Sequence, residues 1–185
     1  TGVQTCALPI LKTVKAAIEV NENQKFKLFR KAKERFGTLK GKRVAVLGLT
    51  FKPGTDDLRE APSLENVPLL LQGGANIYAF DPVGEENFKK RYPEGEIGPG
   101  SITYVSNPNE ALNGANVCFI FTEWGEVKAL TPSDYKELMK TPLVYDGRNI
   151  YSVNEMKAVG IEYYSIGRPS VTSTQAFSEA AVTRN

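Results

Sequence analysis

At 185 residues, 41% hydrophobic and 24% charged, the chain has room for one ordinary domain with a real core plus an appendage. Its 16 glycines and 11 prolines are scattered, which excludes collagen-like and low-complexity readings, and no apolar run approaches the ~20 residues of a bilayer span. The absence of histidine removes His-based acid–base chemistry, Ser-His-Asp hydrolysis and most zinc sites from this chain, while two cysteines, Cys6 and Cys118, are too few for a disulfide scaffold and fit a reducing compartment.

Residues 1–10 contain no initiating methionine, no basic leading region and no long apolar run, so they do not read as a signal peptide. They read as an assembly scar or the frayed, disordered end of a truncated chain, and Cys6 within them carries no weight. From Leu11 to Phe36 there is neither Gly nor Pro, and Val14, Ala17, Ile18, Leu28, Phe29, Ala32 and Phe36 recur at helical spacing. This predicts one helix roughly 39 Å long, stopped by Gly37. Such a helix reads as a linker to another domain or as an oligomer contact. Asn21 and Gln24 interrupt its apolar face, which points to solvent exposure near a partner surface rather than to ligand binding. Charge concentrates here too: residues 12–43 carry a net +8, and the remainder carries −6. A basic arm can mark nucleic acid, but this one has no zinc or RNA-binding signature. It reads as a solvated face or a surface meeting an acidic partner, with no nucleic acid expected.

After Gly41 short apolar runs alternate with amphipathic segments. Arg43 to Leu49 has the pattern of a buried strand, and Ser63 to Gln72 that of a helix, with Pro62 in its first turn and Gly73-Gly74 at its end. Asn76 to Phe80 is the next strand, closed by Asp81-Pro82, and a weaker one covers Ile102 to Val105. A short helix at Asn109 to Leu112 leads to a fully apolar strand at Val117 to Phe121. Thr131-Pro132-Ser133 opens a helix to Met139, followed by a strand at Leu143 to Tyr145. A helix near Val153 to Ala158 stops at Gly160, and Ile161 to Ile166 is the last strand. This alternation predicts an α/β fold: a doubly wound, mainly parallel, Rossmann-like sheet preceded by one long α-helix. Ligands of such sheets sit beyond the carboxyl ends of the strands. The Ser/Thr/Ala-rich stretch from Ser170 to Asn185 has no period and reads as a flexible tail. The expected organisation is an unstructured end over 1–10, a helix segment over 11–37, a binding domain over 41–169 and a tail over 170–185.

Three polar clusters fall at strand ends. The loop Gly48-Leu49-Thr50-Phe51-Lys52-Pro53-Gly54-Thr55-Asp56-Asp57-Leu58-Arg59 lies where a dinucleotide fold carries its phosphate turn, yet it is not G-x-G-x-x-G. Bulky Leu49, Thr50 and Phe51 stand where a pyrophosphate needs close backbone approach. Either Lys52 and Arg59 remain as phosphate-binding cations, or Asp56, Asp57 and Arg59 merely satisfy the turn. In Asp146-Gly147-Arg148-Asn149, Gly147 permits the turn and Arg148 offers a planar five-donor fork for phosphate or carboxylate; the alternative is an Arg–Asp pair tying loops together. Asp81 follows Gly48 by 33 residues rather than the ~20 of a ribose-binding acid, so it reads as a structural cap before Pro82. Trp124, in Thr122-Glu123-Trp124, reads as core or interface packing. Cys118, set among Phe119, Ile120 and Phe121, reads as a small buried hydrophobe rather than a nucleophile.

Taken in order, V-A-V-L-G-L-T-F-K-P-G-T-D-D-L-R-E-A-P-S, A-F-D-P, F-T-E-W, Y-D-G-R-N-I-Y and I-G-R-P closely resemble the C-terminal, UDP-binding domain of the UDP-glucose/GDP-mannose dehydrogenase family, the UDP-glucose members most of all. A-A-I-E-V-N-E-N-Q-K resembles the later part of that family's long central helix, and the likeness covers roughly residues 13 to 169. The resemblance implies a cytoplasmic, NAD-dependent enzyme that oxidises the C6 alcohol of UDP-glucose to a carboxylate by two hydride transfers, through covalent intermediates on a cysteine. It implies that NAD is bound mainly by an N-terminal Rossmann domain and that the central helix builds a homodimer. Carried onto this sequence, Phe51, Lys52 and Arg148 contact the nucleotide sugar, and Arg59 reaches across the interdomain cleft toward NAD.

The departures matter as much. There is no G-G-x-C-x-P-K-D nucleophile segment, since Cys6 in T-C-A-L-P lacks both the glycines and the Lys-Asp, and no G-x-G-x-x-G. No catalytic residue and no metal ligand is therefore expected, and the chain by itself reads as a nucleotide-holding fragment without activity. The competing readings are a sibling dehydrogenase acting on GDP-mannose or UDP-N-acetylmannosamine, and a non-catalytic Rossmann-like nucleotide-binding or oligomerisation module.

Overall fold

A computed structural model describes the backbone of residues 2–180 and the side chains of residues 12–176. Seven strands form one sheet: β1 (Arg43–Leu47), β2 (Asn76–Phe80), β3 (Gly95–Ile97), β4 (Gly100–Tyr104), β5 (Val117–Ile120), β6 (Leu143–Asp146) and β7 (Glu162–Ser165), in the order β3-β4-β2-β1-β5-β6-β7. All neighbours are parallel except the β3–β4 hairpin. The expected doubly wound sheet is present, with an antiparallel edge the sequence pattern did not reveal. Its order reverses between β1 and β5, so the crevice beyond their carboxyl ends is the natural ligand position.

Both faces of the sheet are covered, which is why its strands are apolar throughout. Val44, Val46, Phe119 and Tyr145 point to one face, against Val67, Leu70 and Leu71 of α3 (Pro62–Gln72). Ala45, Leu47, Cys118, Ile120 and Val144 alternate to the other, beneath α5 (Pro108–Leu112), α7 (Pro132–Leu138) and α8 (Val153–Val159). Two short helices absent from the sequence reading, α4 (Glu85–Lys89) and α6 (Gly125–Lys128), each fill a connection after a strand.

The single leading helix is two: α1 (Gly2–Lys25) and α2 (Lys27–Phe36), interrupted at Phe26. Asn66 Nδ2 of α3 donates to the Lys25 carbonyl at 2.8 Å at that break, a side chain entering the helix ladder. α2 packs into the domain rather than linking away from it. Leu28 and Ala32 are buried, Arg35 forms a two-pronged pair with Glu162 at 2.9 and 3.3 Å, and Lys31 lies over the Tyr164 ring. By contrast Val14, Ile18 and Val20 of α1 are exposed. The stretch from 170, expected to be a flexible tail, is corrected for its described part: Val171 pairs with Tyr163, α9 (Ser173–Ala180) follows, and Ala176 is wholly buried. Its few apolar residues are spaced to meet a neighbour already in place, which no local period signals. Residues 1 and 181–185 of the two expected unstructured ends lie outside the described residues.

One buried carboxylate shapes the loops at the switch point. Asp81, 2% exposed at the end of β2, accepts from Leu49 N (2.7 Å), Thr50 N (3.0 Å), Thr50 Oγ1 (3.1 Å) and Trp124 Nε1 (2.9 Å) on one oxygen. Its other oxygen accepts from Val83 N (3.1 Å) and Gly84 N (2.7 Å). Gly48, at φ 86°, lets the chain leave β1 beside Thr122, where a Cβ would come within 2.3 Å of the Thr122 Cβ. Asp81→Ala strands several buried donors and should cost at least ~3 kcal/mol of unfolding free energy. Urea unfolding within ~1 kcal/mol of the parent would refute the carboxylate's organising role.

Candidate functional site

A cleft of about 430 Å³ opens at the carboxyl edge of the sheet, lined from four directions. The β1–α3 loop contributes Phe51, Glu60 and Pro62; the β5 end contributes Phe121; the loops after β6 and β7 contribute Gly147, Arg148 and Ile166; the α1–α2 junction contributes Asn21, Gln24, Lys25 and Leu28. Phe51 keeps 44% of its surface exposed, because the Asp81 hydrogen bonds draw Leu49 and Thr50 inward while Phe51 N donates to the Asp57 carbonyl at 2.9 Å. A large exposed aromatic at a cleft rim is available to stack on a planar group.

Arg148 is placed by a second buried carboxylate. Asp146, at the end of β6 and wholly buried, accepts from Arg148 N (2.8 Å), Ile150 N (2.8 Å) and the Tyr163 hydroxyl (2.7 Å). Asn149 sits in the left-handed region, at φ 57°, and bridges to Ile166 by two 3.0 Å bonds that tie the β6 and β7 loops together. The Arg148 guanidinium turns to Glu123, donating through Nε to Oε2 and through Nη2 to Oε1 at 2.9 Å. The alternative of an Arg–Asp pair is met only by a backbone bond to Asp146, while the side chain pairs with Glu123. That pairing holds Glu123 below the usual carboxylate range and raises Arg148. Lys25, nearly buried, meets Glu60 at 2.5 Å and Glu22 at 2.9 Å, and the Glu60 bond leads in raising its pKa.

The sequence-selected residues do not all converge. Phe51 and Arg148 share the cleft, while Lys52 is exposed on the same loop and does not line it. Arg59 lies in a separate, open concavity of about 530 Å³ with Asp56, Asp57 and Asn87. There it pairs with Asp57 at 2.8 Å, and that pairing draws the Asp57 carboxyl down to about 2. Asp81 and Trp124 are buried supports, as read. Cys118 is wholly buried, and burial pushes its thiol well up, so no thiolate faces the cleft from it. Among the described residues no His/Cys/Asp/Glu group could hold a metal, and no helix is long and apolar enough to cross a membrane. Sequence reading missed Asn21, Gln24, Lys25 and Glu60 as cleft residues. The polar run N-E-N-Q-K was visible, but only the break at Phe26 turns it over the sheet edge.

A dinucleotide does not fit the β1 turn. The N–H groups of Leu49 and Thr50, which would cradle a pyrophosphate there, are already spent on Asp81, and Leu49 and Thr50 are wholly buried.

Comparison with known proteins supplies the context. The family model for the UDP-binding domain of the UDP-glucose/GDP-mannose dehydrogenase family matches residues 45–153. Over 163 residues the chain is 40% identical to UDP-glucose 6-dehydrogenase YwqF of Bacillus subtilis (strain 168), covering 88% of this chain and 36% of that protein. Over 165 residues it is 39% identical to UDP-glucose 6-dehydrogenase TuaD of the same organism, covering 89% and 34%. A solved UDP-glucose dehydrogenase from the hyperthermophilic archaeon Pyrobaculum islandicum matches with a TM-score of 0.66 at 34% identity, over 81% of this chain and 31% of that one. The chain thus spans about a third of the length of these relatives.

The Arg148–Glu123 pair predicts a pH signature. Because the folded carboxyl titrates below its unfolded value, the pair's contribution is complete above that ordinary value and is lost as pH falls through the lowered one. Glu123→Gln should be less stable than the parent by about 1 kcal/mol at neutral pH. In parallel thermal melts the gap should close in acid; a gap unchanged at acid pH would assign the loss to packing instead.

Proposed function

The chain belongs to the UDP-glucose/GDP-mannose dehydrogenase family, as its UDP-binding domain, and from that premise we propose that it holds the UDP half of UDP-glucose for an NAD-dependent dehydrogenase that converts the sugar to UDP-glucuronate. The observation that carries this reading is the meeting of Phe51 and Arg148 in one cleft at the switch point of the sheet. The two residues lie 97 positions apart in sequence and arrive from different strands. Phe51 offers a ring face to the nucleotide and Arg148 a planar fork to the diphosphate, while Lys52, exposed on the same loop as Phe51 but outside the cleft lining, adds a point charge nearby. Binding energy collected there, remote from the reacting carbon, positions the sugar for oxidation elsewhere in the enzyme.

For NAD, the hydride acceptor of that chemistry, the β1 turn offers no cradle, because its N–H groups are bonded to Asp81. Arg59, exposed in its separate concavity, is the residue of this chain we assign to NAD. The exposed Val14 and Ile18 on α1 support a homodimer through that helix, and the enzyme is assigned to the cytoplasm.

Calorimetry with the purified chain should show UDP binding in preference to NAD; binding of NAD alone would reject the reading. Arg148→Ala should weaken UDP by ~1–3 kcal/mol, the usual loss for a charge-assisted contact. Mixed with UDP-glucose and NAD⁺, the chain should form no NADH, and turnover at 340 nm would show that a nucleophile has been overlooked.

A further inference from the structure

Glu123 lies one residue before Trp124 in the segment after β5, outside the lining of the cleft, and its carboxylate accepts from the Arg148 guanidinium. It takes the Nε–Nη2 edge. Arg148 lines the cleft, and among the described residues no acceptor is found for its Nη1, so the Nη1–Nη2 edge keeps its donors free. We propose that Glu123 is the positioning residue for nucleotide binding: it fixes the inner edge of Arg148 so that the outer edge meets the diphosphate as a preformed bidentate donor. This rests on the reading of the cleft as the UDP site and names the residue that orients its cation.

Three observations converge on this role. Arg148 is held at its backbone by Asp146, 2.8 Å from Arg148 N, so its Cα is fixed and the side chain alone needs orientation. Glu123 is itself held, since its neighbours Thr122 and Trp124 are buried and bonded to Thr50 and Asp81 respectively. The Arg148 side chain is about two-thirds buried, in a setting where a two-point pair is screened less than on an open surface. An arginine gripped on one edge loses little rotamer entropy when a phosphate takes the other, which is the advantage of a preorganised donor. Glu123 also opposes the ligand's charge at longer range. Orientation dominates in this reading, because the carboxylate takes the Nε–Nη2 edge and does not compete for the Nη1 donors.

The test is a double-substitution cycle on the full chain, read by UDP calorimetry, with uridine as the phosphate-free control and thermal melts to confirm folding. Glu123→Ala should weaken UDP about tenfold, Glu123→Gln, which keeps one acceptor oxygen, about threefold, and uridine not at all. In the Arg148→Ala background, Glu123→Ala should have no further effect on UDP, because it acts only through that arginine. Unchanged or tighter UDP binding by Glu123→Ala, or a loss that persists without Arg148 or extends to uridine, overturns the positioning role while leaving the cleft reading intact. A parent chain that does not bind UDP, or one in which Arg148→Ala alone changes nothing, overturns the cleft reading and this inference with it.

Discussion

A carboxylate stands where this fold elsewhere receives a phosphate. Asp81 is nearly sealed from solvent at the end of β2, and it absorbs the backbone donors of the β1 turn that a dinucleotide would otherwise claim. Six hydrogen bonds to one side chain join three connections, after β1, after β2 and after β5, into a single unit. A buried anion is tolerated only when its lone pairs are met in this way. The consequence for function is geometric. Leu49 and Thr50 are drawn into the core, the loop crests at Phe51, and the aromatic ring is delivered to the cleft rim.

Asp146 does the same work on the other side of the switch point. It anchors the β6 loop through Arg148 N and Ile150 N, and the Tyr163 hydroxyl reaches it from β7. The two carboxylates therefore brace the two loops that face each other across the cleft. Both convert strand ends into fixed platforms. The cations above them are also constrained, Arg148 by Glu123 and Lys25 by Glu60, so the cleft presents positive groups whose positions are set by neighbouring acids.

The third wall comes from the leading helices. Leu28 and Ala32 of α2 join the core above a stack of Phe121, Phe119, Tyr145 and Tyr164, with successive ring centroids 5.8, 5.1 and 4.9 Å apart. Arg35 and Lys31 add a pair to Glu162 and a cation over Tyr164. Much of the basic character of residues 12–43 is thus a helix surface, while Lys31, Arg35 and Arg43 engage side chains of the sheet.

Local pattern determined the sheet and most of its helices, because a strand covered on both faces must be apolar throughout and a helix boundary is marked by Pro and Gly chemistry. It also singled out Asp81 as a support and Arg148 as a donor fork, whereas the role of Phe51 as a nucleotide contact came from the family resemblance and not from local pattern. The antiparallel β3 edge, the helix at Ser173–Ala180 and the break at Phe26 were decided only in three dimensions, since each depends on a partner that is remote in the chain: β4, the core pocket at Ala176 and the side chain of Asn66. The same holds for the cleft. Which acid pairs with Arg148, and that Asn21, Gln24 and Lys25 reach the sheet edge while Lys52 and Arg59 do not share their cleft, are properties of loop packing that one-dimensional spacing does not encode.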